Sequence, residues 1–158
     1  MDFNPGAADL SLVSLFAGWA LADEVQRRLA ADGLGDLRFA DGFVFQHLVG
    51  GPMTIGALAE RLDVSQQAAS KAVADLERRG YVARTPDPDD ARARRVALTE
   101  RGEAAIAGGR RHRAAIEAEL ADRLGARRVE GARRLLVDVI RDLGADVAIR
   151  GRRVRPPA

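Results

Sequence analysis

Two stretches of the chain hold residues whose types and spacing can do chemistry. The first, 85–98, reads Thr-Pro-Asp-Pro-Asp-Asp-Ala-Arg-Ala-Arg-Arg-Val-Ala-Leu and sets Asp87, Asp89 and Asp90 against Arg92, Arg94 and Arg95. Three acids and three bases so close together suit a calcium loop, a solvated linker or a contact element. Calcium fails on spacing. An EF-type loop needs oxygen ligands at positions 1, 3 and 5, Gly at 6 and Glu at 12. Counting from Asp87 puts Ala91, Arg92 and Leu98 at positions 5, 6 and 12. The second stretch, 65–71, offers Ser65, Gln66, Gln67, Ser70 and Lys71. These are hydrogen-bonding side chains of which only one is charged. Gln pairs bidentately with adenine, Ser reaches bases or phosphate, and Lys reaches guanine or phosphate. A few residues on, the same segment turns to Asp75, Glu77, Arg78 and Arg79, the mix of an ordinary solvated helix face. That switch from neutral polar to charged is the informative feature.

Other chemistries find little support. There is no nucleophile set beside a base, no glycine-rich phosphate loop and no pair of acids in a recognisable setting, so the residues argue against an enzyme. Cys is absent and His47 and His112 are the only histidines, which argues against thiol redox chemistry and a dedicated zinc site. No cofactor is expected.

The elements that must position these residues follow from periodicity and punctuation. A first helix spans roughly 8–31 and stops at Gly33 and Gly35. A second covers roughly 39–49 and stops at Gly50-Gly51-Pro52. Thr54 is the N-cap of a third, 54–62, with Ile55, Leu58, Ala59 and Leu62 on one face. After the turn at Asp63-Val64, Ser65 caps a fourth helix with Ala69, Val73 and Leu76 inward, ending at Arg79 before Gly80. Strands are predicted at 81–84 and 95–98, flanking the acid–base stretch. Thr99 caps a fifth helix, 99–123, with Gly108-Gly109 as a weak spot where it bends. A sixth runs over 126–143 with Val129, Ala132, Leu136, Val139, Ile140 and Leu143 on one face. Two short helices joined by a tight turn and followed by a two-stranded ribbon form a winged helix-turn-helix. Its second helix enters the major groove with its N-terminal residues at the base edges. The fold class is therefore mainly α with a small β-hairpin wing.

Bulk properties bound the rest. At 158 residues, 47% hydrophobic and 30% charged, the chain is a soluble globular protein of about one domain's length. Aromatics at 4% favour helices over sheet. Residues 1–53 carry three Arg against seven acids, and residues 102–158 thirteen Arg against eight acids. A basic C-terminal part fits a polyanion partner or a solvated helix face. Leu10–Leu21 is nearly apolar, yet no Arg or Lys precedes it, so it reads as a packed helix and not a secretion signal. No run reaches the ~18 apolar residues that span a bilayer. A cytoplasmic protein without a membrane partner is expected.

The residues MTIGALAERLDVSQQAASKAVADLERRGYV (53–82), then DPDDAR (87–92) and LTERG (98–102), resemble the MarR family of bacterial transcriptional regulators. The resemblance covers about fifty residues, and the helix order on both sides matches. It implies an obligate homodimer whose terminal helices form the interface. Two winged lobes then bind a pseudo-palindromic duplex, repression being the commoner mode. It also implies release by a small aromatic or phenolic effector held between interface and lobes, and it assigns Arg92 to the minor groove. Independently of the family, the broad apolar faces of the first and sixth helices exceed what so small a lobe covers. An isologous pairing buries them and sets two recognition helices one DNA turn, ~34–36 Å, apart. The expected division is 1–36 and 101–149 for dimerisation, 37–100 for DNA, and a basic tail at 150–158.

Within the wing, Asp90 is placed to hold the Arg92 guanidinium in a fixed fork. Arg94 and Arg95 alternate sides on the returning strand, so one of them faces phosphate. Asp87 and Asp89 are left a turn-forming role. On the sensor side, Phe16, Trp19, Phe39 and Phe43, with Phe45 and His47 near, either line a ligand pocket or belong to the core. Gly42 either admits a close backbone or opens space for a ligand. A ligand-independent, architectural DNA-binding protein is the alternative functional reading.

Overall fold

The computed structural model describes residues 5–87 and 94–145. Element order is α1 (Leu10–Leu29), α2 (Asp41–Leu48), β1 (Met53–Thr54), α3 (Ile55–Leu62), α4 (Gln66–Arg78), β2 (Val82–Pro86), β3 (Arg94–Leu98), α5 (Glu100–Leu124) and α6 (Ala126–Asp142). The predicted caps form: the side chains of Thr54, Ser65 and Thr99 accept from the N–H groups of Ala57, Ala68 and Gly102. Each satisfies an amide that the first helical turn would otherwise leave bare. α1 ends in a π-helical turn over Ala30–Leu34 that is broken by Gly33 at φ +85°.

The sheet has three antiparallel strands in the order β1-β3-β2, with Met53 opposite Val96 and Val82 opposite Leu98. The hairpin expected from sequence is thus joined by a third strand of two residues. So short a strand has no periodicity to read, and only its pairing with β3 defines it. Gly80, at φ +78°, turns the chain from α4 into β2.

Two clusters form the core. Inside the lobe, Val44, Phe45, Leu48, Leu58, Val73, Leu76, Tyr81, Val82, Val96 and Ala105 pack together. Beneath it, Val25 and Leu29 of α1 meet Ile116 of α5. α5 is continuous from Glu100 to Leu124, so Gly108-Gly109 does not interrupt it. Both glycines are buried, and a Cβ on Gly108 would lie 3.0 Å from Leu29 Cδ2. The missing side chain lets α1 approach α5. Arg28 fastens the same pair of helices by two hydrogen bonds to Glu119 at 2.7 and 2.6 Å. Asp32 adds contacts of 2.7 Å to both Arg111 and His112.

The outer faces of α1 and α6 stay uncovered. Leu12, Leu15, Phe16, Trp19, Leu135, Leu136 and Leu143 are exposed, and α6 buries no residue. No described helix is long and apolar enough to cross a membrane.

Candidate DNA interface and the cavity beneath it

α3 and α4 form the helix pair. The turn between them passes through Asp63 in the left-handed conformation, φ 52° and ψ 50°. Asp is among the few L-residues that tolerate this region. α4 then buries Ala69, Val73 and Leu76 completely against the lobe core, leaving Gln66, Gln67 and Lys71 exposed and Ser70 half-buried. Four of the five residues expected to face DNA therefore share the outer side of its N-terminal half. Ser65 stands just before them with its Oγ held 3.1 Å from the Ala68 amide. Its hydroxyl hydrogen remains to donate.

The C-terminal half of α4 is wired to its surroundings by charge. Arg79 donates to both carboxylate oxygens of Asp41 at 2.7 and 2.9 Å, to Asp75 and to the Asp36 carbonyl. The side chains of Arg79 and Asp41 are 11% and 10% exposed, so this is a buried, bidentate pair. Arg78 also binds Asp75. Burial alone would raise the Asp75 pKa, but the hydrogen bond and charge of Arg79, with Arg38 and Arg78 behind them, hold it below the usual carboxylate range. Next door, the buried Tyr81 donates from its hydroxyl to Asp36 at 2.6 Å, and Arg101 of α5 binds Asp36 at 2.8 Å while lying 4.7 Å above the Tyr81 ring. The Tyr81 hydroxyl, and then Arg101, lower the Asp36 pKa; burial, and then the hydrogen bond to Asp36, raise that of Tyr81.

In the wing, Asp89, Asp90 and Arg92 lie outside the described residues. Arg94 is exposed where the hairpin opens, paired with Pro86 across the strands. Arg95 turns the other way and donates to Asp87 at 2.7 Å, and Asp87 is 8% exposed. Asp87 is therefore more than a turn former: it anchors the returning strand. Sequence reasoning missed it because the acid and its base stand eight residues apart, and only the β2–β3 register brings them together.

Below the lobe a cavity of about 1080 Å³ opens between the α1–α2 connection and α2 on one side and α1, α5 and α6 on the others. Leu21, Val25, Leu29, Phe45 and Ile116 contribute apolar wall. Of the five predicted pocket residues, Phe39 lines it, whereas Phe16, Trp19, Phe43 and His47 do not. Phe16 and Trp19 project from α1 as an exposed, edge-to-face pair with centroids 5.4 Å apart, and His47 is buried in α2. Those assignments are corrected by the direction each side chain takes from its helix. Periodicity gives a face but not which neighbour covers it. Gly42 lines the cavity with nothing within 4 Å of a would-be Cβ, so it opens space and does not admit a backbone. Arginines were the signal overlooked: Arg38, Arg110, Arg113, Arg128 and Arg133 all line the cavity, against the single acid Glu117.

Residues 36–93, which run from Asp36 through the helix pair into the wing, match the MarR family. Those 58 residues, of 158, are what the chain shares with the MarR family. Its members are transcription regulators, not enzymes. Solved structures agree in fold. The chain is similar to YusO from Bacillus subtilis, with 25% identity and a TM-score of 0.66 over 84% of this chain and 91% of that one. A MarR mutant from E. coli gives 23% and 0.62 over 84% and 97%. A mutant of S. aureus MepR, solved bound to an oligodeoxyribonucleotide, gives 18% and 0.64 over 86% and 99%. No curated protein matches the sequence. The matched segment holds α2, β1, α3, α4 and the first wing strand β2, and β3, α5 and α6 lie beyond it.

Proposed function

We propose that this chain is a sequence-specific, double-stranded DNA-binding repressor that acts as a homodimer on a pseudo-palindromic operator. The observation that carries this reading is the composition of the exposed N-terminal half of α4: Gln66, Gln67 and Lys71, with Ser70 beside them, are neutral or singly charged hydrogen-bonding groups on an otherwise charge-rich helix. Gln67 reads a base edge, Lys71 and the Ser65 hydroxyl serve base or phosphate, and Asp90, Arg92 and Arg94 of the wing meet the adjacent minor groove and backbone. The DNA-bound S. aureus relative supports the assignment. The uncovered faces of α1 and α6 support a second copy as partner. The expected dimerisation segments, 1–36 and 101–149, contain both faces. The cavity under the lobe is the site where a small effector binds and releases DNA.

In vitro selection from a random duplex pool tests the proposal. A regulator enriches an inverted repeat and prefers it over random duplex by ~10³-fold or more at fixed salt. Equal affinity for all duplexes would indicate an architectural protein instead.

A further inference from the structure

Glu77 and Arg84 join the recognition helix to the wing where the sheet would otherwise lie open. β2 is an edge strand in the order β1-β3-β2. At its base the Thr99 N–H donates to the Tyr81 carbonyl at 3.1 Å. The register continues with Ala83 opposite Ala97 and Thr85 opposite Arg95. Antiparallel pairing alternates, so these odd-numbered residues bond to β3 and the even-numbered ones turn their backbone groups outward. An outward row of N–H groups is a template for another strand. In this wing the row is closed in two ways. Pro86 has no N–H to offer. The Arg84 N–H donates to Glu77 Oε1 at 3.2 Å, and Glu77 Oε2 lies 3.3 Å from Arg84 Nη1.

The carboxylate reaches β2 beyond the point where packing holds it. Val82 is buried, Ala83 half-buried and the rest of the strand exposed, so apolar contacts fix the wing's base and not its outer part. The ion pair adds little by itself, because Arg84 and Glu77 are 33% and 37% exposed. The backbone cap is directional and charge-assisted, and it fixes where β2 passes the end of α4. From sequence Glu77 reads only as part of a solvated helix face.

We propose that Glu77 is a positioning residue for DNA binding: by capping the β2 edge at Arg84 it sets the wing at one angle to α4, so that helix and wing meet neighbouring grooves together. This rests on the proposed reading of α4 and the wing as the two DNA-contacting elements. Glu77 acts through β2 and does not itself touch the duplex.

Two variants separate the cap from the charge. Glu77→Gln keeps a carbonyl oxygen for the Arg84 N–H and loses the ion pair, whereas Glu77→Ala loses both. Thermal melts check that each is folded. Amide exchange in the free chain reads the cap directly: in Glu77→Ala the Arg84 amide exchanges ~10-fold faster, the Ala83 and Thr85 amides change less, and Glu77→Gln stays near the natural chain. Affinity for a duplex recovered by selection reads the consequence, falling ~10-fold in Glu77→Ala and ~3-fold or less in Glu77→Gln. Double-variant cycles locate the loss. Combined with Arg94→Ala in the wing, Glu77→Ala costs less than the sum of the two; combined with Gln67→Ala on α4, the losses add.

An Arg84 amide that exchanges no faster in Glu77→Ala overturns the inference, as do additive losses with Arg94→Ala or coupling to Gln67→Ala instead. A rise in affinity for operator and random duplex alike in both variants also overturns it, since Glu77 would then be only a repelling charge beside the phosphates. Faster Arg84 exchange with unchanged operator affinity overturns the positioning role and leaves the DNA-binding reading intact. If selection enriches no duplex, that reading fails and the positioning role with it, while exchange still decides whether Glu77 closes the strand edge.

Discussion

Arg79, the residue that closes α4, grips Asp41, the residue that opens α2, through two hydrogen bonds of 2.7 and 2.9 Å. Both side chains are about nine-tenths buried. The pair ties the C-terminal end of α4 to the start of α2. Removing one partner leaves a buried charge. Asp41→Ala therefore destabilises the chain by about 3 kcal/mol, somewhat relieved by the remaining contact of Arg79 with Asp75. Urea unfolding measures it; a change below ~1 kcal/mol would mean that the pair is dispensable.

Two glycines should respond in opposite ways to alanine. A Cβ at Gly102 would stand 2.2 Å from the Tyr81 carbonyl oxygen. Because the obstacle is backbone, Gly102→Ala shifts β2 against α5 and costs about 2–3 kcal/mol. Gly42 faces open space, so Gly42→Ala is neutral or stabilising by up to about 0.5 kcal/mol. Calorimetric melting of both variants gives the contrast directly.

At the proposed interface, Gln67→Ala reduces the preference for the selected operator more than it reduces binding to random duplex. A mismatch-sized loss of about 1–3 kcal/mol in discrimination is expected. Equal losses on both duplexes would mean that Gln67 touches phosphate. Arg92→Ala weakens operator binding while leaving the dimer intact, as sedimentation and a mobility shift on the same sample will show.

Asp87→Asn removes the charge that holds Arg95 in the wing. Arg95 then loses its buried carboxylate partner, and operator affinity falls without loss of the lobe's fold. Amide exchange along β2 and β3 should quicken relative to α4. Unchanged exchange would sink the anchoring role.

The carboxylates predict acid lability. Asp36, Asp75 and Asp32 titrate below their ordinary value: the Tyr81 hydroxyl acts first on Asp36, Arg79 outweighs burial at Asp75, and His112 acts first on Asp32. The unfolded chain therefore binds more protons near and below pH ~4, and stability falls as pH drops through that range. The contribution is fully present above it. Asp36→Asn should flatten the slope of stability against pH between about 4 and 3. An unaltered slope would mean that the Tyr81–Asp36–Arg101 cluster does not drive it.

What the sequence determined by itself was local. The three Ser/Thr caps, the inward stripe of Ala69, Val73 and Leu76, the turn at Gly80 and the neutral polar start of α4 are each specified within a few residues. The physics there is short-range: one hydroxyl satisfying one amide, or one helical face burying itself. The tertiary structure decided whatever depends on partners distant in the chain. It paired Met53-Thr54 with β3, matched Asp87 to Arg95 through strand register, and gave Gly108 its reason in the approach of Leu29. It also left only Phe39 of the five predicted pocket residues on the cavity wall, beside Gly42 and five arginines. A helical period says which residues share a face. Which element covers that face, and which face is left open, depends on how the helices pack in three dimensions.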